Sequence, residues 1–425
     1  MRYINACVIT NNEKNEILNN AEVEVVGNKI VYVGNVRDCD SPAIDCANMI
    51  ISAGFVNTHC HSSMTLFRNV GGVCDFNNWW YDHIRPLEAV STMQDYEIGT
   101  KLAILEMLKN GITTVLDFYF YPENLAKIYH EYGMRAVVGV GSPKDGMILT
   151  DEEIDIEYKG VQQYAPLVTP CVIAHSVYAV DPDNIVALSN YAKKHNSVFT
   201  IHASETLNEV GECDKNYGYS PIGLLESLGV LENKCVLAHC VHCDKDDMEI
   251  LSRCKDVYVS TNPSSNLVLC SGIAPLSAYY NRGIKIVLGT DGVASNDSLS
   301  ILKEMFLATN LQNGTMCESQ GYDYAQAYRS ATIVGAQSLD LKNIGRVEEG
   351  CIADLVFIKR GVNMQPDNDT LRCIVNSMDS SNIYATMVDG KVLYENGKYN
   401  LDIDVDNLVQ QATKSIYRIK NANKL

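Results

Sequence analysis

Ile50-Ile51-Ser52-Ala53-Gly54-Phe55-Val56-Asn57-Thr58-His59-Cys60-His61 (residues 50–61) is an apolar, β-branched run that ends on two histidines. Side chains two apart on a strand share a face, so His59 and His61 project together while Cys60 points away. Runs of the same kind recur at residues 112–118, 135–141, 170–177, 197–203, 234–240, 257–262 and 285–291, which makes about eight in all. Helix-like stretches lie between them, such as 95–110, which ends at Gly111, and 183–195, which begins after Pro182. Eight alternating βα units close a parallel barrel, and residues 50–61 form its opening strand. An open doubly wound sheet also alternates, but it rarely needs so many strands and carries a Gly-rich phosphate loop early. Gly139-Val140-Gly141 is too short to be that loop.

Outside this repeat the pattern changes. Residues 1–34 alternate apolar and polar side chains, with turns at Asn11-Asn12 and Gly27-Asn28, as short antiparallel strands do, and residues 350–399 resume that style. The two chain ends are therefore expected to pair. The expected division is residues 1–52 with 346–400 as a small β domain, 53–345 as the barrel and 401–425 as a C-terminal helix.

At 425 residues, 46% hydrophobic and 20% charged, the chain has the composition of an ordered, enzyme-sized globular protein. A net charge of −18 with no Lys/Arg run argues against nucleic acid and anionic membranes as partners. The N-terminus lacks a signal-peptide pattern and no apolar run has the length of a membrane span, so a cytoplasmic location is expected. Fifteen cysteines are scattered through apolar strands, as in Pro170-Cys171-Val172 and Lys234-Cys235-Val236, and read as buried free thiols. Cys240-Val241-His242-Cys243 invites a metal site, but a lone Cys/His cluster with no second cluster at finger spacing is more often incidental.

A bare His-x-His arises easily by chance; its weight here comes from company. His175, His202 and His239 each fall near the end of a different run and Asp291 closes the last, so five of nine histidines converge on one rim. Barrel enzymes place their chemistry on that rim. His83, His130 and His195 lie on helical or loop segments and keep an ordinary structural reading. Three imidazoles and a carboxylate suit a divalent ion such as zinc, with one position left for a water whose pKa the ion lowers. The expected ligands are His59, His61, His202 and Asp291, with Glu205 placed to shuttle a proton to substrate.

The segments Gly54 to His61, His202-Ala203-Ser204-Glu205-Thr206, Ala238-His239-Cys240-Val241-His242 and Gly289-Thr290-Asp291-Gly292 resemble the amidohydrolase superfamily over nearly the whole chain. The branch they resemble is that of the S-adenosylhomocysteine/methylthioadenosine deaminases, related to triazine chlorohydrolases and guanine deaminases. The resemblance implies a (β/α)8 TIM barrel with a small β-sandwich built from both chain ends, one zinc or iron ion, and a homo-oligomer acting on a small purine nucleoside. It implies that His239 holds the attacking water beside Asp291, that Glu205 carries the proton, and that His175 contacts the ring. No lysine ends the fourth strand, where dinuclear members bridge two metals. Pro86-Leu87-Glu88 resembles the segment whose glutamate binds ribose hydroxyls, and Trp79 lies where an aromatic residue closes the pocket.

One departure concerns the nucleoside's 5′ side. Homocysteine-accepting members carry arginines in and after the third strand; this chain has Val137 to Gly141 and then Ser142-Pro143-Lys144-Asp145-Gly146. Lysine offers a point charge and no bidentate clasp, so adenosine, 5′-deoxyadenosine or methylthioadenosine are favoured over S-adenosylhomocysteine. The rival readings are a guanine-type deaminase or triazine hydrolase on the same metal cradle and, from another class, a non-catalytic metal-binding barrel. Zinc cytidine-type deaminases are excluded by the absence of His-x-Glu followed by Pro-Cys-x-x-Cys, and a phosphate-loop enzyme by the absence of Gly-Lys-Ser/Thr.

Overall fold

In a computed structural model of the chain, which describes residues 1–72, 74–142, 150–316 and 321–423, the strands fall into two sheets. Five come first: β1 (Arg2–Ile9), β2 (Ile17–Val26), β3 (Lys29–Asn35), β4 (Ala43–Asp45) and β5 (Met49–Ala53). Eight follow in the central part of the chain: β6 (Phe55–Cys60), β7 (Ile112–Asp117), β8 (Arg135–Ser142), β9 (Val168–Ser176), β10 (Phe199–Ala203), β11 (Cys235–His239), β12 (Val257–Thr261) and β13 (Lys285–Leu288). Four more close the chain's β structure: β14 (Leu355–Lys359), β15 (Ile383–Val388), β16 (Lys391–Glu395) and β17 (Lys398–Tyr399).

Strands β6 to β13 pair in sequence order, every pair parallel. The backbone N–H groups of Thr290 and Asp291, just past β13, donate to the carbonyl of His59 on β6 and so bring the first and last strands together. Strands such as β7, β12 and β13 are short runs rich in Val, Ile, Leu and Thr and buried on both faces, as a parallel sheet covered by helices requires. The lumen is filled by Val56, Leu116, Val137, Ile173 and Val236, with Ala336, Leu339 and Ile344 packed against them. The barrel is thus a packed core, and polar chemistry is left to its ends.

Both chain ends build the other sheet, in the order β17-β16-β15-β14-β5-β1-β2-β3 with β4 on β1. It is mixed where the sequence pattern read as antiparallel, because β1 runs parallel to β4 and β5. Tyr3, Val8, Val23, Ile51, Leu355 and Phe357 form its own apolar core.

Residues 50–61, expected as one strand, are two. Met49–Ala53 pairs with β1 and β14 in the end sheet, whereas Phe55–Cys60 opens the barrel. The break is Gly54: a Cβ there would come within 2.1 Å of Thr113 Cγ2, so only glycine lets the chain pass from one sheet to the other at this point. A buried ion pair joins the sheets nearby. Arg135, at the start of β8, donates from Nε to Asp354 Oδ2 at 2.6 Å, and Asp354 Oδ1 accepts the Asp389 N–H at 2.7 Å. The Val405–Ala422 helix packs on the Met93–Lys109 helix. Among the described residues no helix is long and apolar enough to cross a membrane.

Candidate active site

The carboxyl ends of the barrel strands carry the histidines. His59 is the penultimate residue of β6 with His61 just beyond the strand, their ring centroids 4.9 Å apart, and Cys60 between them joins the apolar core. His202 comes from β10 and His239 from the last position of β11. The donor atoms of His59, His61 and His202 lie within 4.8 Å of one another, and so do those of His59, His239 and Asp291. All five expected groups meet at one place, with His59 common to both sets.

Hydrogen bonds to the outer ring nitrogens determine which nitrogen faces inward. His61 Nδ1 lies 2.9 Å from the Phe118 carbonyl and His202 Nδ1 lies 2.7 Å from the His175 carbonyl. A carbonyl can only accept, so in each neutral ring Nδ1 carries the proton and Nε2 presents its lone pair to the centre. His59 differs: both of its ring nitrogens are buried and neither makes a hydrogen bond. Leaving a buried polar atom unpaired costs about 1–3 kcal/mol, and a cation at the centre removes that cost. Burial also holds these rings neutral, lowering His59 to about 4 and His202 well below its ordinary value. His61 is shifted upward, because Asp291 at 3.2 Å outweighs its burial. Imidazole nitrogens around one anionic carboxylate are the donor set that a divalent transition ion takes, the ion displacing any proton from His61.

Asp291 is held in the left-handed region (φ 61°) three residues past the end of β13. Its Oδ2 accepts from the hydroxyls of Ser265 at 2.6 Å and Ser295 at 3.1 Å, and Oδ1 accepts the Gly292 N–H at 2.7 Å. Although burial opposes it, the adjacent His59 and His61 hold this carboxyl well below its usual range. His239 Nε2 stands 3.8 Å from Glu205 Oε2 and 4.0 Å from Asp291 Oδ2, while its Nδ1 lies 2.8 Å from Asn266 Oδ1. With Nδ1–H donated to Asn266, the free lone pair of His239 faces both carboxylates. Burial raises the Glu205 carboxyl, opposed by His239, so its protonated form is favoured beyond that of a surface glutamate.

His61, His202, Glu205, His239 and Asp291 form the floor of a cleft. Trp79, Glu88 and His175 line its walls, together with Trp80, Phe118, Tyr119 and Tyr178. Trp79 opens a single π-helical turn, Trp79–Ile84, and its indole N–H donates to the Ala294 carbonyl at 3.0 Å. Glu88 follows on the next helical turn, Arg85–Glu88, and accepts the Tyr119 hydroxyl. His175 stands at the end of β9 with Nδ1 3.0 Å from the Ser176 hydroxyl. Lys144 lies outside the described residues. Cys240 and Cys243 are free thiols, and His242 Nε2 is 2.6 Å from the Ser271 carbonyl, so the cluster read as incidental is engaged in loop packing.

Five polar residues without a counterpart among the sequence expectations complete the site: Ser265 and Ser295 on Asp291, Asn266 on His239, Ser271 on Glu205, and Glu209 below Glu205. Pro263-Ser264-Ser265-Asn266, directly after the seventh barrel strand, was the available signal, since polar residues opening a helix at a strand's carboxyl end face the rim.

Known proteins resemble this chain over most of its length. A 5-methylthioadenosine/S-adenosylhomocysteine deaminase of Thermodesulfovibrio yellowstonii is 33% identical, with 98% of each chain covered. A 5′-deoxyadenosine deaminase of Methanosphaera stadtmanae is 35% identical over 89% of this chain and 90% of that one. The crystal structure of an adenosine deaminase from Xanthomonas campestris with bound zinc superposes with a TM-score of 0.93 at 27% identity, covering 99% of this chain and 98% of that one. The sequence pattern of the amidohydrolase family matches residues 50–393, and the chain belongs to that family.

Proposed function

We propose that this amidohydrolase deaminates an adenosine-type nucleoside (adenosine, 5′-deoxyadenosine, methylthioadenosine or S-adenosylhomocysteine) to the inosine-type product and ammonia. The observation that carries this reading is the meeting of His239 Nε2 with the Glu205 and Asp291 carboxylates in an aromatic cleft whose wall includes Glu88. The names of the relatives support the same substrate class. His59, His61, His202 and Asp291 would hold one divalent ion, zinc in preference to iron, as in the similar Xanthomonas protein. When bound, that ion supplies Lewis acidity that brings the pKa of a water toward neutrality.

The remaining steps belong to side chains. His239, with Nδ1–H fixed on Asn266, offers Nε2 as the acceptor of the water's proton, with Asp291 beside it. Oxygen attacks the amino-bearing ring carbon, and Glu205 delivers a proton to the adjacent ring nitrogen. The proton taken up by His239 and Asp291 then passes to the amino nitrogen, the added hydroxyl returns a proton to Glu205 as the carbon–nitrogen bond breaks, and ammonia leaves. Glu88 accepts hydrogen bonds from the ribose hydroxyls, His175 contacts the ring, and Trp79 closes the cleft against bulk water. We place the reaction in the cytoplasm, in keeping with cysteines that are all free thiols among the described residues. Metal-reconstituted protein is expected to release ammonia from this nucleoside series and to leave guanine unchanged. Release from guanine alone would redirect the reading to a base deaminase.

A further inference from the structure

Glu209 is a buried carboxylate that the reaction scheme above does not use. It lies on the first turn of the Leu207–Tyr217 helix, 3% exposed, and burial pushes its carboxyl up to about 7. A buried acid without a cation is costly, so it is poorly explained as a contribution to stability. Its oxygens have a definite task. Oε1 accepts the Ser204 N–H at 3.1 Å and Oε2 accepts the Glu205 N–H at 2.7 Å, so both peptide groups of the turn that carries Glu205 point into one carboxylate.

That turn is under conformational strain. Ser204 has φ 52°, a left-handed backbone that a residue with a Cβ adopts only when its surroundings hold it there. Its carbonyl is fixed as well, accepting the Val241 and His242 N–H groups at 2.9 Å each, while the Ala203 carbonyl accepts the Cys240 N–H at 3.0 Å. These bonds come from the loop that begins at His239. Ser204 is therefore the joint between the loop bearing Glu205 and the loop bearing His239, tied on its N–H side by Glu209 and on its carbonyl side by residues 241–242. Resting on the roles proposed above for Glu205 and His239, we infer that Glu209 is a positioning residue whose carboxylate holds the Ser204–Glu205 turn in the strained form that aims Glu205 at His239.

Glu209→Gln keeps shape but replaces one accepting oxygen with an NH2 group facing a peptide N–H; Glu209→Asp keeps the charge and withdraws it from both. Each is expected to lower kcat about 10- to 100-fold, the effect of a small misplacement of a reacting group, with KM within about threefold of the parent. Metal content and thermal midpoint should stay those of the parent. Glu205→Gln is measured alongside. Full turnover in Glu205→Gln would remove the proton role itself, whereas loss in Glu205→Gln with parental kcat in both Glu209 variants would overturn the positioning role alone. A fall in midpoint or metal content that tracks the loss of kcat, or failure of both variants to fold, would assign Glu209 to the scaffold and overturn it equally.

Discussion

The two ends of the barrel hold buried polar clusters built on opposite principles. At the amino end, Arg135 (3% exposed) donates to Asp354 at 2.6 Å and 3.2 Å, to Asp389 at 3.4 Å and to the Pro166 carbonyl at 3.4 Å, and Asp354 accepts a backbone N–H besides. Every charge there is answered by the protein. At the carboxyl end, His59 is as deeply buried but neither ring nitrogen makes a hydrogen bond, its Nε2 standing 3.5 Å from Asp291 Oδ1, and the inner nitrogens of His61 and His202 converge on the same centre. A cluster the chain satisfies by itself serves the joint between sheets; one that leaves its donors aimed at a common point is made for something the chain does not supply.

The contrast can be broken at either end. Chelation of the ion should abolish turnover and lower the thermal midpoint, and added zinc should restore both, since a ligand bound only by the native state stabilises it. Turnover that survives complete removal, read by elemental analysis beside ammonia release, would contradict the metal assignment. Glu205→Gln should lower kcat by about 10²- to 10⁴-fold while metal content is retained. The amino end should respond in the opposite manner: Asp354→Asn should cost about 3 kcal/mol of stability by leaving Arg135 underpaired, with the kcat of the folded enzyme unaltered. A denaturant titration with a parallel rate measurement checks both halves. The smallest effect is expected for Asn266→Ala, which frees the His239 Nδ1 proton and the ring's orientation and should lower kcat about tenfold; a KM change alone would place Asn266 in substrate binding.

How much of this was legible in the sequence follows from the range of the interactions. The barrel strands were readable because each is a local apolar run, and the rim because His59, His175, His202, His239 and Asp291 stand at or near strand ends. The expected division at 52/53 fell beside Gly54, but that the strand itself breaks there was not readable. Residues 50–61 are continuous in character, and only the position of Thr113 in three dimensions makes the glycine obligatory. Asn266 and Ser265 went unseen for a related reason: they reach His239 and Asp291 across 27 and 26 residues of chain, from the short helix after a neighbouring strand that carries no histidine or carboxylate of its own. Glu209 lies within four residues of Glu205, but nothing in the local sequence reveals that Ser204 takes a left-handed backbone and turns the next N–H toward it.

The central claim is that the unsatisfied cluster at the carboxyl end, once loaded with its ion, removes an amino group from an adenosine-type nucleoside. Ammonia release by the zinc-reconstituted protein across adenosine, 5′-deoxyadenosine, methylthioadenosine, S-adenosylhomocysteine and guanine tests it most directly. One ammonia is expected per nucleoside turned over, with the neutral 5′ groups preferred to the homocysteine tail and no release from guanine. No ammonia from any of the four nucleosides would contradict it.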